Sequence, residues 1–160
     1  RAQDERVGIV AVLAVRAGKT DPLGLKDVLA RGKPAIVLFS DPGCGPCNAL
    51  MPKIGEWQAG HQAAFSLVVI SRGEAAANLD KVKEHKLQDV LLQNDYEVAD
   101  SYKVNGTPGA VLVDAGGTIR SAAAMGAAAI EELVNRVARG PNASVEPGSA
   151  SAADPRAATA

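Results

Sequence analysis

The chain has 160 residues, 47% of them apolar and 22% charged, with a net charge of −1. That length and apolar content fit one domain with a real core. The near-neutral balance, with basic residues scattered and not clustered, argues against a nucleic-acid footprint or an anionic-membrane patch.

Val7 to Val15 is a strand-like apolar run, too short to span a bilayer, which needs roughly 20 helical residues. It also lacks the basic flank and cleavage pattern of a full signal peptide. The chain opens at Arg1 and not at a methionine, so an upstream leader or membrane anchor is compatible with this reading. Asp21-Pro22 and Gly24 predict a turn over Gly18 to Gly24. Leu25 to Ala30 follows as a short helical turn, closed by Gly32. Pro34 to Phe39 is a continuous apolar stretch that suits a strand buried on both faces of a sheet.

Ser40-Asp41-Pro42-Gly43-Cys44-Gly45-Pro46-Cys47 follows this strand and leads into a helix reaching about Gln62. Leu50, Ile54 and Trp57 give that helix an apolar face. Phe65 to Ile70 is a second buried-type strand, and Ser71-Arg72-Gly73 turns the chain. A polar-faced helix from Glu74 to Lys86 turns Leu79 and Val82 inward. Asp89 to Gln93 is a short strand, and Asp95 to Tyr102 a short helix. Thr107-Pro108 introduces the strand Ala110 to Val113, and Asp114 to Gly117 reads as a hairpin turn into Thr118 to Ala122. The last helix runs from about Ala127 to Arg139, with Ile130, Leu133, Val134 and Val137 on one face. Strands alternating with helices, then a hairpin and a helix, describe a three-layer α/β domain over residues 34–139. Residues 1–33 extend it as a strand and loop. From residue 140 to 160 the tail of Pro, Ala, Ser and Gly buries too little surface to offset its ordering entropy and is expected to be disordered. Within it, Asn142-Ala143-Ser144 fits a glycosylation sequon, a triplet common by chance.

The two cysteines, Cys44 and Cys47, are too few and too close for a scaffold held by disulfides. His61 and His85 show no metal-ligand spacing to them and read as solvated surface residues, and Trp57 reads as packing. What remains is redox chemistry, although a lone CxxC also occurs in zinc knuckles and structural disulfides. The spacing places both sulfurs in the first turn of a helix, within reach of a small-loop disulfide. Cys44 would sit at the helix N-terminus, where unpaired N–H groups and the macrodipole favour a thiolate. Pro46 suits the first turn, where its missing N–H has no helical partner. Cys44 would attack a partner disulfide, and Cys47 would resolve the mixed disulfide.

The segment Phe39 to Pro52, with Cys44-Gly45-Pro46-Cys47 and a proline five residues after the second cysteine, resembles the thioredoxin superfamily. Val104-Asn105-Gly106-Thr107-Pro108, followed by an apolar strand and Gly116-Gly117, is similar to its second landmark, a cis-proline loop beside the dithiol. The extra helix and strand between about Glu74 and Gln93 resemble the insertion of TlpA/ResA-like and MauD-like members. The resemblance implies a three-layer thioredoxin-like fold with a central mixed sheet, helices on both faces and an inserted helix–strand unit. It implies catalysis by Cys44 and Cys47, with Thr107, Pro108, Gly45 and Pro46 holding the partner, and a cis Pro108; a trans proline opening an edge strand is the alternative. Pro52 marks the kink that the family tolerates in this helix.

The pattern also departs from the family. Gly43 stands where a tryptophan usually precedes the first cysteine, which removes an apolar contact surface. Leu38 replaces the buried aspartate of thioredoxins, and Leu50 the glutamate of TlpA/ResA-like proteins, so both customary proton acceptors for Cys47 are missing. MauD-like proteins share the apolar residue at the second position. Asp41 is the nearest acid and reads as a turn former before Pro42. The expectation is a monomeric, extracytoplasmic thiol–disulfide oxidoreductase acting on a protein disulfide or dithiol. A recycling redox partner, with a membrane-bound protein as one candidate, completes the cycle, with no nucleic acid, metal or cofactor, since the electrons reside on sulfur. Reductase is preferred to oxidase because the Gly-Pro pair resembles that of reducing thioredoxins. The rivals are a peroxiredoxin-like peroxidase, which would want threonine at Asp41, a copper chaperone, which would want a longer cysteine spacing, and a catalytically silent interaction module.

Overall fold

The computed structural model describes residues 11–16 and 19–140. The expected strand start over residues 7–10, the tail from residue 141 and its sequon lie outside the described residues. In chain order the elements are β1 (Ala11–Arg16), β2 (Lys19–Gly24), α1 (Leu25–Leu29), β3 (Ala35–Ser40), α2 (Gly45–Gly60), β4 (Ser66–Arg72) and α3 (Ala75–Glu84). They continue with β5 (Val90–Gln93), α4 (Glu97–Ser101), β6 (Gly109–Val113), β7 (Ala124–Met125) and α5 (Ala127–Ala138).

Among the described residues the strands form one mixed sheet in the order β2-β1-β5-β4-β3-β6-β7. β3, β4 and β5 run parallel, while β6 pairs antiparallel with β3 and β7 with β6. The helix–strand unit α3–β5 inserts between β4 and α4, and its strand extends the sheet beside β4. β3 is central and buried along its whole length, as its unbroken apolar run requires. Its side chains alternate between two cores. Ala35, Val37 and Phe39 face a cluster completed by Leu25 and Val28 of α1 and Val98 and Ala99 of α4. Ile36 and Leu38 face a second cluster with Leu50, Met51 and Ile54 of α2, Val82 of α3, and Ile130, Leu133 and Val134 of α5. The period of two in β3 against the helical period in α2 and α5 therefore builds three layers. Each large apolar side chain so buried contributes about 1.5–3 kcal/mol of transfer free energy.

Two elements differ from expectation. Residues 19–24 are not a turn but the strand β2, which forms an antiparallel hairpin with β1. Among the described residues β2 lies at the sheet edge, and one side of an edge strand needs no ladder donor, so a proline is accommodated there. The strand expected over Thr118 to Ala122 reduces to a single bridge between Val113 and Ile119. Here the Ser121 hydroxyl accepts the Leu112 N–H at 2.9 Å, so a side chain replaces the ladder acceptor. Strand pairing resumes at Ala124 and Met125, opposite Ala110 and Gly109. The turn before it is built by Asp114, whose Oδ1 accepts the N–H groups of Gly116 and Thr118 at 3.0 and 2.9 Å.

The register positions the site. Gly109 opens β6 opposite Phe39 near the end of β3. Because the two strands are antiparallel, the loop that leaves β3 and the loop that enters β6 open at the same end of the sheet.

Candidate functional site

The loop leaving β3 is shaped by its own polar groups. Asp41 Oδ1 accepts the Gly43 N–H at 2.8 Å, and the Cys44 N–H reaches the Asp41 carbonyl at 3.0 Å. Asp41 thus forms the turn its sequence context predicts. Cys44 is the N-cap of α2 with an extended backbone, and its Sγ accepts the Cys47 N–H at 3.2 Å. A sulfur in this position does what a serine or aspartate does at other helix starts: it satisfies a first-turn donor. Pro46 lies in that first turn, where it removes a donor that needs no helical partner.

Cys44 and Cys47 are joined by a disulfide, with Cα atoms 5.2 Å apart. Cys44 is half-buried, whereas Cys47 is 1% exposed. A nucleophile approaching from solvent therefore meets the Cys44 sulfur first. Gly45 and Pro46, beside it, are exposed. Across the sheet edge the Thr107 carbonyl oxygen stands 3.6 Å from Cys44 Sγ. The Thr107–Pro108 peptide is cis, Thr107 is half-buried and Pro108 buried. The fold thus brings Cys44, Cys47, Thr107 and Pro108 into one locus, with Gly45 and Pro46 on its rim. Leu38 and Leu50 are both buried in the apolar cluster on the α2 face of the sheet, and neither supplies an acid to Cys47.

Some residues at this locus carry no motif. Lys81, from α3, donates to the Pro42 carbonyl at 2.7 Å and to the Asn48 side-chain oxygen. Asn48 in turn donates to the Pro42 carbonyl at 3.2 Å. Arg72, at the end of β4, lies 3.7 Å from Asp41 Oδ2, donates to the Tyr96 hydroxyl and sits over the Tyr96 ring at 4.9 Å. Asn78 anchors α3 by accepting from the Ser71 hydroxyl and donating to the Glu74 carbonyl. Asn78 and Lys81 lie one turn apart on α3, and both point inward beside Val82; polarity alone assigns such residues to the solvent face. Met125 is 40% exposed and flanks the Thr107–Pro108 loop, its side chain close to Gly106 and Gly109.

The histidines differ from the solvated side chains expected. Both are half-buried helix C-caps, His61 stacked on Phe65 with ring centroids 5.3 Å apart and His85 3.7 Å from Glu84. Each is drawn in because its backbone closes a helix end against the core. Trp57 packs against the α2-side core, and Pro52 sits exposed inside α2 without ending it.

A family model described as a thioredoxin-like domain matches residues 22–138. The methylamine utilization protein MauD of Methylophilus methylotrophus is 28% identical over 99 residues, covering 62% of this chain and 46% of that protein. MauD of Methylorubrum extorquens is 30% identical over 89 residues, covering 56% of this chain and 42% of that protein. The chain spans less than half the length of these relatives. Among solved structures, a secreted Mycobacterium tuberculosis disulfide oxidoreductase homologous to E. coli DsbE superposes with a TM-score of 0.62 at 28% identity. It covers 85% of this chain and 98% of its own. No helix among the described residues is long and apolar enough to cross a membrane.

Proposed function

Since the chain belongs to the thioredoxin-like domain family, with MauD-like and DsbE-like relatives, we propose that it exchanges disulfides with a protein partner through Cys44 and Cys47. The observation that carries this reading is the asymmetry of the pair: Cys44 half-exposed at the N-cap of α2, Cys47 buried one turn behind it. In the reducing direction the Cys44 thiolate attacks one sulfur of a partner disulfide. That S–S bond breaks, and the partner's departing sulfur takes a proton. Cys47 then loses its proton to solvent and attacks Cys44, the mixed disulfide breaks, and the partner leaves as a dithiol. Two electrons pass from the Cys44–Cys47 dithiol to the partner, and the pair ends as a disulfide.

Thr107 and Pro108 would receive the partner's extended backbone as an added strand, with Gly45, Pro46 and the exposed Met125 as its nearest contacts. Gly43 leaves the approach to Cys44 open on the other side. Reduction is the preferred direction, on the resemblance of Gly45-Pro46 to reducing thioredoxins. The setting is extracytoplasmic, by likeness to the secreted relative, with a separate redox protein recycling the pair and the chain acting as a monomer.

Insulin reduction driven by dithiothreitol tests the activity. The wild type is expected to accelerate insulin precipitation, Cys44→Ser to abolish the effect, and Cys47→Ser to trap mixed disulfides. Equal rates for wild type and Cys44→Ser would leave a silent interaction module as the better reading. Titration of the pair against glutathione tests direction: a potential well below the glutathione couple supports a reductase, and one well above it an oxidant.

A further inference from the structure

We propose that Lys81 is a positioning residue for the dithiol, its ammonium favouring the Cys44 thiolate and so making the disulfide easier to reduce. This rests on the dithiol being the redox centre. Lys81 is half-buried and held at two points, by the Pro42 carbonyl two residues before Cys44 and by the side chain of Asn48, next to Cys47. Asn48 also bonds the Pro42 carbonyl and gives its own N–H to the Cys44 carbonyl at 3.1 Å. The ammonium is therefore fixed against the turn that carries both sulfurs.

Among the described residues no carboxylate lies within ion-pair distance of Lys81. Its place in the last turn of α3 suits a cation, but the nearby N-terminus of α2 does not, since the positive end of that dipole repels it. Both charges are relieved by an anion in the first turn of α2, and the half-buried Cys44 at the N-cap is the group there that becomes one. Besides the buried Cys47, Asp41, Arg72 and Tyr96 are the charged and titratable groups that, among the described residues, contact the loop or one another beside it. Asp41 is engaged by the Gly43 N–H and stands near Arg72, which in turn covers Tyr96. Asp41 and Arg72 offset one another, which leaves the charge of Lys81 unbalanced. With Leu38 and Leu50 buried and apolar, the loop favours a thiolate by a fixed cation and not by a proton acceptor.

The test separates charge from mere bracing. In a Cys47→Ser background the ultraviolet absorbance of the Cys44 thiolate is followed against pH in wild type, Lys81→Gln and Lys81→Arg. Glutamine keeps a donor for the Pro42 carbonyl without the charge, and arginine keeps the charge. Lys81→Gln is expected to raise the Cys44 pKa by about one unit, and Lys81→Arg to leave it near the wild-type value. In the intact dithiol protein, Lys81→Gln is expected to shift the glutathione equilibrium up to about tenfold toward the disulfide, roughly 30 mV. An unmoved pKa in Lys81→Gln, or arginine behaving like glutamine, overturns the proposal. Neither titration uses a protein substrate. A wild type inactive on insulin that still shows the Lys81 shift would count against the proposed function and leave this inference standing.

Discussion

Substituting alanine for Gly109 is expected to separate the two halves of the site. A Cβ at Gly109 would lie 2.5 Å from Val104 Cγ1, 2.9 Å from the Gly106 carbonyl oxygen and 3.1 Å from Met125 Sδ. Val104 is fully buried and the Gly106 oxygen is backbone, so neither yields cheaply. Relief to an ordinary contact requires roughly 1 Å of movement in the loop entering β6, and overpacking of this kind costs about 1–3 kcal/mol. At the middle of that range the thermal midpoint falls by about 5–10 °C. The same movement carries Thr107, whose carbonyl stands 3.6 Å from Cys44 Sγ. A misplacement of about 1 Å costs a positioned reaction on the order of 10²-fold. The kcat/KM for a protein disulfide should therefore drop roughly 10–100-fold, while the rate with a small aromatic disulfide, which needs no strand pairing, stays within about twofold of wild type. Stopped-flow assays of both substrates, with thermal unfolding by circular dichroism, measure the three quantities. Wild-type kcat/KM on the protein substrate in a destabilised Gly109→Ala would refute the link between this loop and docking. Equal losses on both substrates would show damage to the dithiol instead.

Gly55→Ala should destabilise, although alanine is favoured by about 1 kcal/mol inside a helix, because a Cβ there meets the His85 carbonyl oxygen at 2.5 Å. A urea midpoint above that of wild type would contradict the packing of α2 on the end of α3. Arg31 binds Asp89 through two hydrogen bonds of 2.6 and 2.8 Å, and that bond raises the Arg31 pKa above its ordinary value. Arg31→Met leaves the buried Asp89 carboxylate without its counter-charge and should cost about 2–3 kcal/mol in urea unfolding, with partial recovery in Arg31→Met/Asp89→Asn. Two carboxylates predispose the fold to acid. Burial pushes Glu97 up, but the N–H groups of Glu97, Asn94 and Asp95 outweigh it and lower its pKa. The Thr118 N–H, then Arg120, lower that of Asp114. Because both native values lie below the unfolded ones, their stabilisation is complete above about pH 4–4.5 and is lost as pH falls through the depressed values. Asp114→Asn should flatten the acid limb of a stability–pH curve; an unchanged limb would remove Asp114 as a contributor.

Where the chain makes structure from its own neighbours, the sequence alone determined the outcome. The run Pro34 to Phe39 specified a strand covered on both faces, because its apolar residues leave no polar face to turn to water. The period of Leu50 and Ile54 specified the inward face of α2. The spacing of Cys44 and Cys47 placed both sulfurs in one helical turn, a matter of helix geometry. Only the tertiary structure decided what comes from other parts of the chain. The Pro22 segment reads as a turn until β1 lies beside it and makes it an edge strand. Thr107 faces Cys44 because β6 runs antiparallel to β3, and spacing along one segment does not encode strand order. Lys81 and Asn78 look like solvent-face residues until α3 is laid against the dithiol loop and β4, where carbonyl and side-chain oxygens replace the water they would otherwise bind. Gly55 and Gly109 look like weak points in a helix and a strand; they are close approaches, visible only once the backbone or side chain they admit is in place.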